Sequence, residues 1–183
     1  MNNQTQLATF GGGCFWCLEA VFEQVNGVES VVSGYSGGDI PSPSYEQVCS
    51  GRTGHAEVVQ LRFDPTVVSF RELLEVFFCI HDPTQLNRQG NDVGTQYRSA
   101  IFYHCEEQEK LAQQYKARLD ASGAFPAPIV TEIAPLTVFY EAEDYHQNYY
   151  RENPSQGYCR LVIAPKMEKF ERVFAEKLKG EQP

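Results

Sequence analysis

The stretch HAEVVQLRFDPTVVSFRELLEVFFCI, residues 55–80, places a strand pattern directly before a helix pattern, and that succession decides the fold. In its first half Glu57, Val59, Leu61 and Phe63 fall on one face and Val58, Gln60 and Arg62 on the other. Alternation of this kind predicts a strand, ended at Asp64-Pro65 where proline removes a backbone donor. In the second half Ser69 and Glu72 stand at capping-box spacing, and Leu73, Leu74, Phe77 and Phe78 make one apolar helical face.

Outward from this unit the alternation continues. On the N-terminal side, Leu18, Val21, Phe22 and Val25 recur at helical spacing, which predicts a helix from about Cys14 with Gly27 as its stop. VESVVSGY (28–35) reads as a strand running into SGGDIPSPSY (36–45), whose glycines and prolines oppose regular structure. On the C-terminal side come a polar loop at LNRQGNDVGTQY (86–97), a strand at RSAIFYH (98–104) and a charged helix at about 106–119. PIVTEIAPLTVFY (128–140) is strand-prone, and Pro135 within it implies an edge or a break between two strands. A short helix around AEDYHQNYY (142–150), an irregular stretch and a last helix at about 166–179, bearing Phe170, Val173, Phe174 and Leu178, complete the chain. The expectation is an α+β fold: a two-layer α/β sandwich with helices on a mixed sheet and an irregular C-terminal segment.

At 183 residues the chain suits one domain, and its 42% hydrophobic and 13% aromatic content is that of a packed globule. Fifteen basic against 24 acidic residues give a net charge of −9 without a basic run, which argues against nucleic acid or an anionic membrane as partner. The opening MNNQTQLATF lacks the charged and apolar regions of a secretory signal, and the richest apolar run, LLEVFFCI, is too short to span a bilayer. A soluble cytoplasmic protein is expected. There, the six cysteines at 14, 17, 49, 79, 105 and 159 call for catalysis, metal binding or packing rather than a disulfide framework.

Cys14 and Cys17 form a Cys-x-x-Cys at the expected helix start, after three glycines. Unpaired amides and aligned peptide dipoles favour a thiolate at that position, so a lowered pKa and a nucleophilic role are expected of Cys14. Zinc would need a second ligand pair, which this chain lacks. A thioredoxin-like dithiol fits locally but leaves Glu57 unused. That carboxyl heads an otherwise apolar strand face, and burial would raise its pKa until it donates a proton near neutral pH. Tyr45 and Tyr97, in polar loops, are candidate hydroxyl donors beside it.

GGGCFWCLE (11–19), YEQVCSGRTGHAEVV (45–59), GNDVGTQYRSAIFY (90–103), AEDYHQNY (142–149) and NPSQGYC (153–159) stand in the order and spacing of the A-class peptide methionine sulfoxide reductases. The resemblance covers about residues 10–159 and implies a ferredoxin-like plait at the core of a single catalytic domain. Enzymes of this class reverse one epimer of methionine sulfoxide. By resemblance Cys14 is the nucleophile, Glu57 the proton donor, Tyr45 and Tyr97 bind the sulfoxide oxygen, and Asp92 shapes that polar side. Phe15 and Trp16 wall the site of the substrate methyl, where an apolar aromatic surface suits S–CH₃. His146 is given a supporting role. The resemblance further implies no metal or bound cofactor, with thioredoxin or another dithiol as reductant, and a monomer is expected.

Attack leaves a sulfenic acid on Cys14, which a second thiol condenses to a disulfide. Cys159, in the glycine-containing SQGYC segment, ranks first for that role by resemblance. Cys17, one helical turn from Cys14, ranks second, and Cys49, near Tyr45, third. Cys79 reads as a core residue, and Cys105 has no evident chemistry.

Overall fold

The computed structural model describes residues 4–180. The chain runs β1 (Gln6–Gly11), α1 (Phe15–Phe22), β2 (Val28–Ser36), α2 (Tyr45–Cys49), β3 (Ala56–Phe63), α3 (Phe70–Ile80), β4 (Arg88–Gln89), β5 (Asp92–Val93) and β6 (Ala100–Tyr103). It continues through α4 (Glu106–Ala121), β7 (Glu132–Pro135), β8 (Phe139–Glu141), α5 (Tyr149–Glu152) and α6 (Ala164–Val173). β3 and α3 fall where the pattern of 55–80 puts them. The α3 capping box is complete: Glu72 N–H donates to Ser69 Oγ (3.1 Å) and Ser69 N–H to Glu72 Oε2 (2.8 Å).

Six strands form one mixed sheet in the order β7-β6-β1-β3-β2-β8. The neighbours among β6, β1, β3, β2 and β8 are antiparallel, and β7 lies parallel to β6. Pro135 closes β7 at one edge and β8 forms the other, so the strand-prone run 128–140 is indeed split. Residues 136–138 alone join these edges, a reach of ~14 Å, whereas a flat six-stranded sheet is ~24 Å across. The sheet therefore has to curl. Gly37, at the end of β2, shows the result: a Cβ there would stand 2.6 Å from the ring of Phe102 on β6, three strands away.

The α+β fold with helices on a mixed sheet is as expected, and the curl gives each face of the sheet its own core. On one face Phe10 of β1 stacks between the helices, with ring centroids 5.5 Å from Phe22, 5.9 Å from Phe70 and 5.0 Å from Phe77. Val59, Leu61 and Phe63 belong to this large core. On the other face Ala56, Val58, Ala100 and Phe102 pack with Ala134, Leu136 and Phe139 in a small second core.

Other boundaries differ for local reasons. α1 ends at Phe22, not at Gly27, which instead takes φ +96° in the turn before β2. α6 starts at Ala164 and ends at Val173, short of the expected 179, because the chain beyond it leaves the helix to bond the turn after α1. There, Asn26 N–H donates to the Lys177 carbonyl (2.7 Å) and Lys179 N–H to that of Gln24 (2.8 Å). A π-helical turn, Cys159–Ile163, precedes α6. α2 and the β4–β5 ribbon lie in segments expected to be loop.

Candidate active site

The pairing of β1 with β3 and β6 delivers residues 11–13 to the sheet end, and Gly13 turns the chain there with φ +88°. Its N–H donates to the Tyr97 carbonyl (3.2 Å), which fixes Cys14 as the extended residue immediately before α1. Glu57, one strand away, is 1% exposed and accepts the Phe15 N–H at Oε1 (3.2 Å). The carboxyl thus sits against the first turn of the helix that Cys14 begins. Burial pushes its pKa up to about 8, with the charges of Asp92 and Cys17 acting the same way and the Phe15 N–H opposing them. A neutral, proton-bearing Glu57 at pH 7 is what the strand pattern led one to expect.

Cys14 corrects an expectation. The Trp16 N–H at the helix start does lower its pKa, but burial, the neighbouring Cys17 thiol and the Glu57 charge outweigh that effect and hold it well above the ordinary thiol value. Cys17 moves the other way, to about 7, chiefly because the Cys14 thiol hydrogen-bonds it, with Lys166 and Tyr158 helping against burial. The two sulfurs titrate as a pair.

Around this pair the sequence candidates converge. Tyr45 and Tyr97 are half-buried, and burial followed by Cys49 for Tyr45 and by Glu57 for Tyr97 raises both phenols, which therefore keep their O–H donors. The Tyr45 N–H donates to Glu143 Oε2 (3.1 Å), and Cys49 is exposed. Asp92, on β5, accepts from the Tyr158 hydroxyl at 2.7 Å. His146 is buried, and its Nδ1 accepts the Trp16 Nε1–H at 3.1 Å, which leaves its proton on Nε2. Burial lowers its pKa, so the ring is neutral. It lies 5.1 Å from Phe15 and 4.2 Å from Tyr45, centroid to centroid. Phe15 is fully buried, whereas Trp16 is partly exposed. Cys159 is buried at the start of the π-helical turn.

A family model described as peptide methionine sulfoxide reductase matches residues 6–178. The chain belongs to that family. It is 60% identical to the peptide methionine sulfoxide reductase MsrA of Polynucleobacter asymbioticus, over 91% of this chain and 88% of that protein. Among solved structures it is similar to reduced Mxr1 of Saccharomyces cerevisiae, with TM-score 0.80 and 39% identity, covering 87% of this chain and 91% of that one. It also resembles Mxr1 in complex with Trx2, with TM-score 0.58 and 28% identity over 81% and 87% of the two chains.

This member of the reductase family carries supports around Cys14 that residue patterns did not single out. Tyr149 stacks face to face on Trp16, with centroids 3.7 Å apart and planes 6° from parallel. Tyr158 meets the same indole edge-on at 5.8 Å. Glu19, 1% exposed, accepts the Tyr149 N–H (3.2 Å) and the Ser33 hydroxyl (3.1 Å), and burial raises its pKa to about 7. The signal for Glu19 was available as an acid inside the apolar run FWCLEAVF. Tyr149 and Tyr158 stood in quoted motifs without a task. Glu19→Ala strands two buried donors, at ~1–3 kcal/mol for such groups. Its urea unfolding midpoint is expected to fall, and KM for a sulfoxide to rise as the Trp16 stack loosens.

Proposed function

We propose that Cys14, Glu57 and the aromatic cluster around them reduce methionine S-sulfoxide, free or in proteins, to methionine, with an external dithiol such as thioredoxin closing the cycle. Membership of the peptide methionine sulfoxide reductase family carries the reaction class. The observation that carries the site is the buried, protonated Glu57 carboxyl held on the first turn of the helix that follows Cys14.

In this reading the Cys14 thiolate attacks the sulfoxide sulfur while Glu57 protonates the oxygen. The substrate S–O bond breaks and the oxygen ends on Cys14 as a sulfenic acid. The substrate sulfur gains the two electrons that Cys14 loses, and methionine leaves. Tyr45 and Tyr97 O–H groups favour the developing charge on oxygen. Phe15 and the Trp16 ring, braced by His146 and Tyr149, suit the S-methyl group. Asp92 acts on the polar side through Tyr158. A second thiol of the chain then condenses with the sulfenic acid, and the dithiol reduces the disulfide by exchange. The Trx2 complex of the yeast relative supports a thioredoxin-type reductant. All named groups come from one chain, which suits a monomeric single catalytic domain, and six free cysteines suit a reducing cytoplasm.

The test is single-turnover release of methionine from the separate sulfoxide epimers without reductant. The S form is expected to react and the R form to remain; release of no methionine from either would overturn the reading. The pH profile is expected to be bell-shaped. The rate rises as the coupled Cys14–Cys17 thiols ionise and falls as Glu57 loses its proton near pH 8.

A further inference from the structure

Between α3, α4 and the start of α6 lies a mostly apolar groove of about 650 Å³, lined by none of the groups assigned to the reaction above. Its size is that of a small-molecule site. Phe78 and Tyr115 stack along it, with ring centroids 5.4 Å apart and planes 14° from parallel, and Phe125 extends the apolar surface. Two cations stand on the α6 side. Lys169 Nζ donates to the Cys79 carbonyl (2.7 Å). Lys166, half-buried in the first turn of α6, has no acceptor and no carboxylate within ion-pair distance among the described residues. Of the two acids in the groove, Asp82 is already engaged by the Thr84 N–H (3.0 Å) and hydroxyl (2.6 Å), whereas the charge of Glu75 is felt at Tyr115, on the α3–α4 side.

The back of the groove also supports the glycine loop before Cys14. Gln89 is pinned on the Asp82 backbone, its Oε1 accepting the N–H (2.9 Å) and its Nε2 donating to the carbonyl (3.0 Å). A Cβ on Gly13 would stand 2.8 Å from that Gln89 side chain, and one on Gly12 would stand 3.2 Å from the His81 ring. Gln89 and His81 are thus one wall with two sides, the groove and the loop. The charge of Lys166 reaches across it to Cys17, where it favours the thiolate.

We propose that the groove is a second ligand site, taking a flat aromatic monocarboxylate with its ring on Phe78 and Tyr115 and its carboxylate on Lys166, and that its occupancy slows the reductase. The site goes beyond the reductase reading, and only its effect on rate rests on that reading. Offset stacking suits the ring, and a charge-assisted hydrogen bond answers the one cation the groove leaves without a partner. A second negative charge would face Glu75, which selects a monoanion. Once the carboxylate neutralises Lys166, the Cys17 thiolate loses that support.

The probe is 2-naphthoate, with 2-naphthamide as its uncharged counterpart, titrated calorimetrically into the whole protein. Naphthoate is expected to bind; the amide, or Lys166→Met, is expected to weaken binding about tenfold or more, while Lys166→Arg retains it. Occupancy is also expected to shield Cys79, which lines the groove, from iodoacetamide and to leave the exposed Cys49 and Cys105 open to it. In steady state, saturating naphthoate is expected to lower kcat about as far as Lys166→Met does, with KM for the sulfoxide unchanged. Absence of binding at about 10 mM would overturn the site, as would equal binding by Lys166→Met, an unshielded Cys79, or competition with the sulfoxide. An unchanged kcat would overturn the coupling to the reaction. Wild-type protein that releases no methionine without the probe would instead overturn the reductase reading, and the calorimetric result would stand.

Discussion

Cys14→Ser is expected to form no methionine above the uncatalysed background, in single or multiple turnover. Serine replaces sulfur by oxygen at nearly the same volume, so the buried contacts with Phe15 and Cys17 change little and the fold is kept. In the proposed reading, what disappears is the sulfur that attacks the sulfoxide and carries the oxygen away as a two-electron oxidised acid. No other group substitutes, because the Tyr45 and Tyr97 phenols stay protonated in their half-buried places. Chiral assay of methionine release measures the loss, and Trp16 fluorescence verifies that the indole keeps its partners His146 and Tyr149. Surviving turnover would move the nucleophile to Cys17, one helical turn away.

Glu57→Gln is expected to slow the reductive step by ~10²–10⁴, the usual worth of a positioned proton donor. The amide still accepts the Phe15 N–H and fills the same space, so the first turn of α1 stays in place. It cannot release a proton, however, and the fall in rate above about pH 8 should vanish with the carboxyl. Stability gives an independent readout with a definite sign. Glu57 has its folded pKa raised from 4.5 to about 8, so its contribution is fully present at acid pH and is lost as pH rises through about 8. Denaturation midpoints of the glutamine variant should therefore decline less than those of the wild type across that window. An unchanged reductive rate would make Glu57 a structural residue of β3.

Much of this was legible in the sequence because it is written in local periods. The alternation through Val59, Leu61 and Phe63 gave β3 and, with it, a buried Glu57; Ser69 and Glu72 gave the start of α3. α2 was missed because its five residues are too few to show a period, although Ser44 and Gln47 form its capping box in the structure. The β4–β5 ribbon is two residues per strand, below any alternation. The curl of the sheet depends on which strands the 136–138 link joins, a long-range fact that no local pattern carries. At the site, residue types and their expected burial were readable, while the opposite shifts of the Cys14 and Cys17 thiols were not. A helix-start argument treats a thiol singly, whereas here burial and a neighbouring sulfur set the balance. Glu19 is similar: its acidity inside an apolar face was visible, but its partners Ser33 and Tyr149 come from β2 and from the start of α5.

The curled sheet has a bearing on the company this protein keeps. Oxidised methionines become accessible in chains that have partly lost their structure, and such chains seek unpaired strand edges. The two outer strands here are only four and three residues long. Pro135 offers no donor, Leu136 N–H is already bound to the Tyr103 carbonyl, and Ala142 N–H to that of Ser33. A half-unfolded chain would therefore find almost no backbone to zip onto along these edges, so binding it need not seed its aggregation.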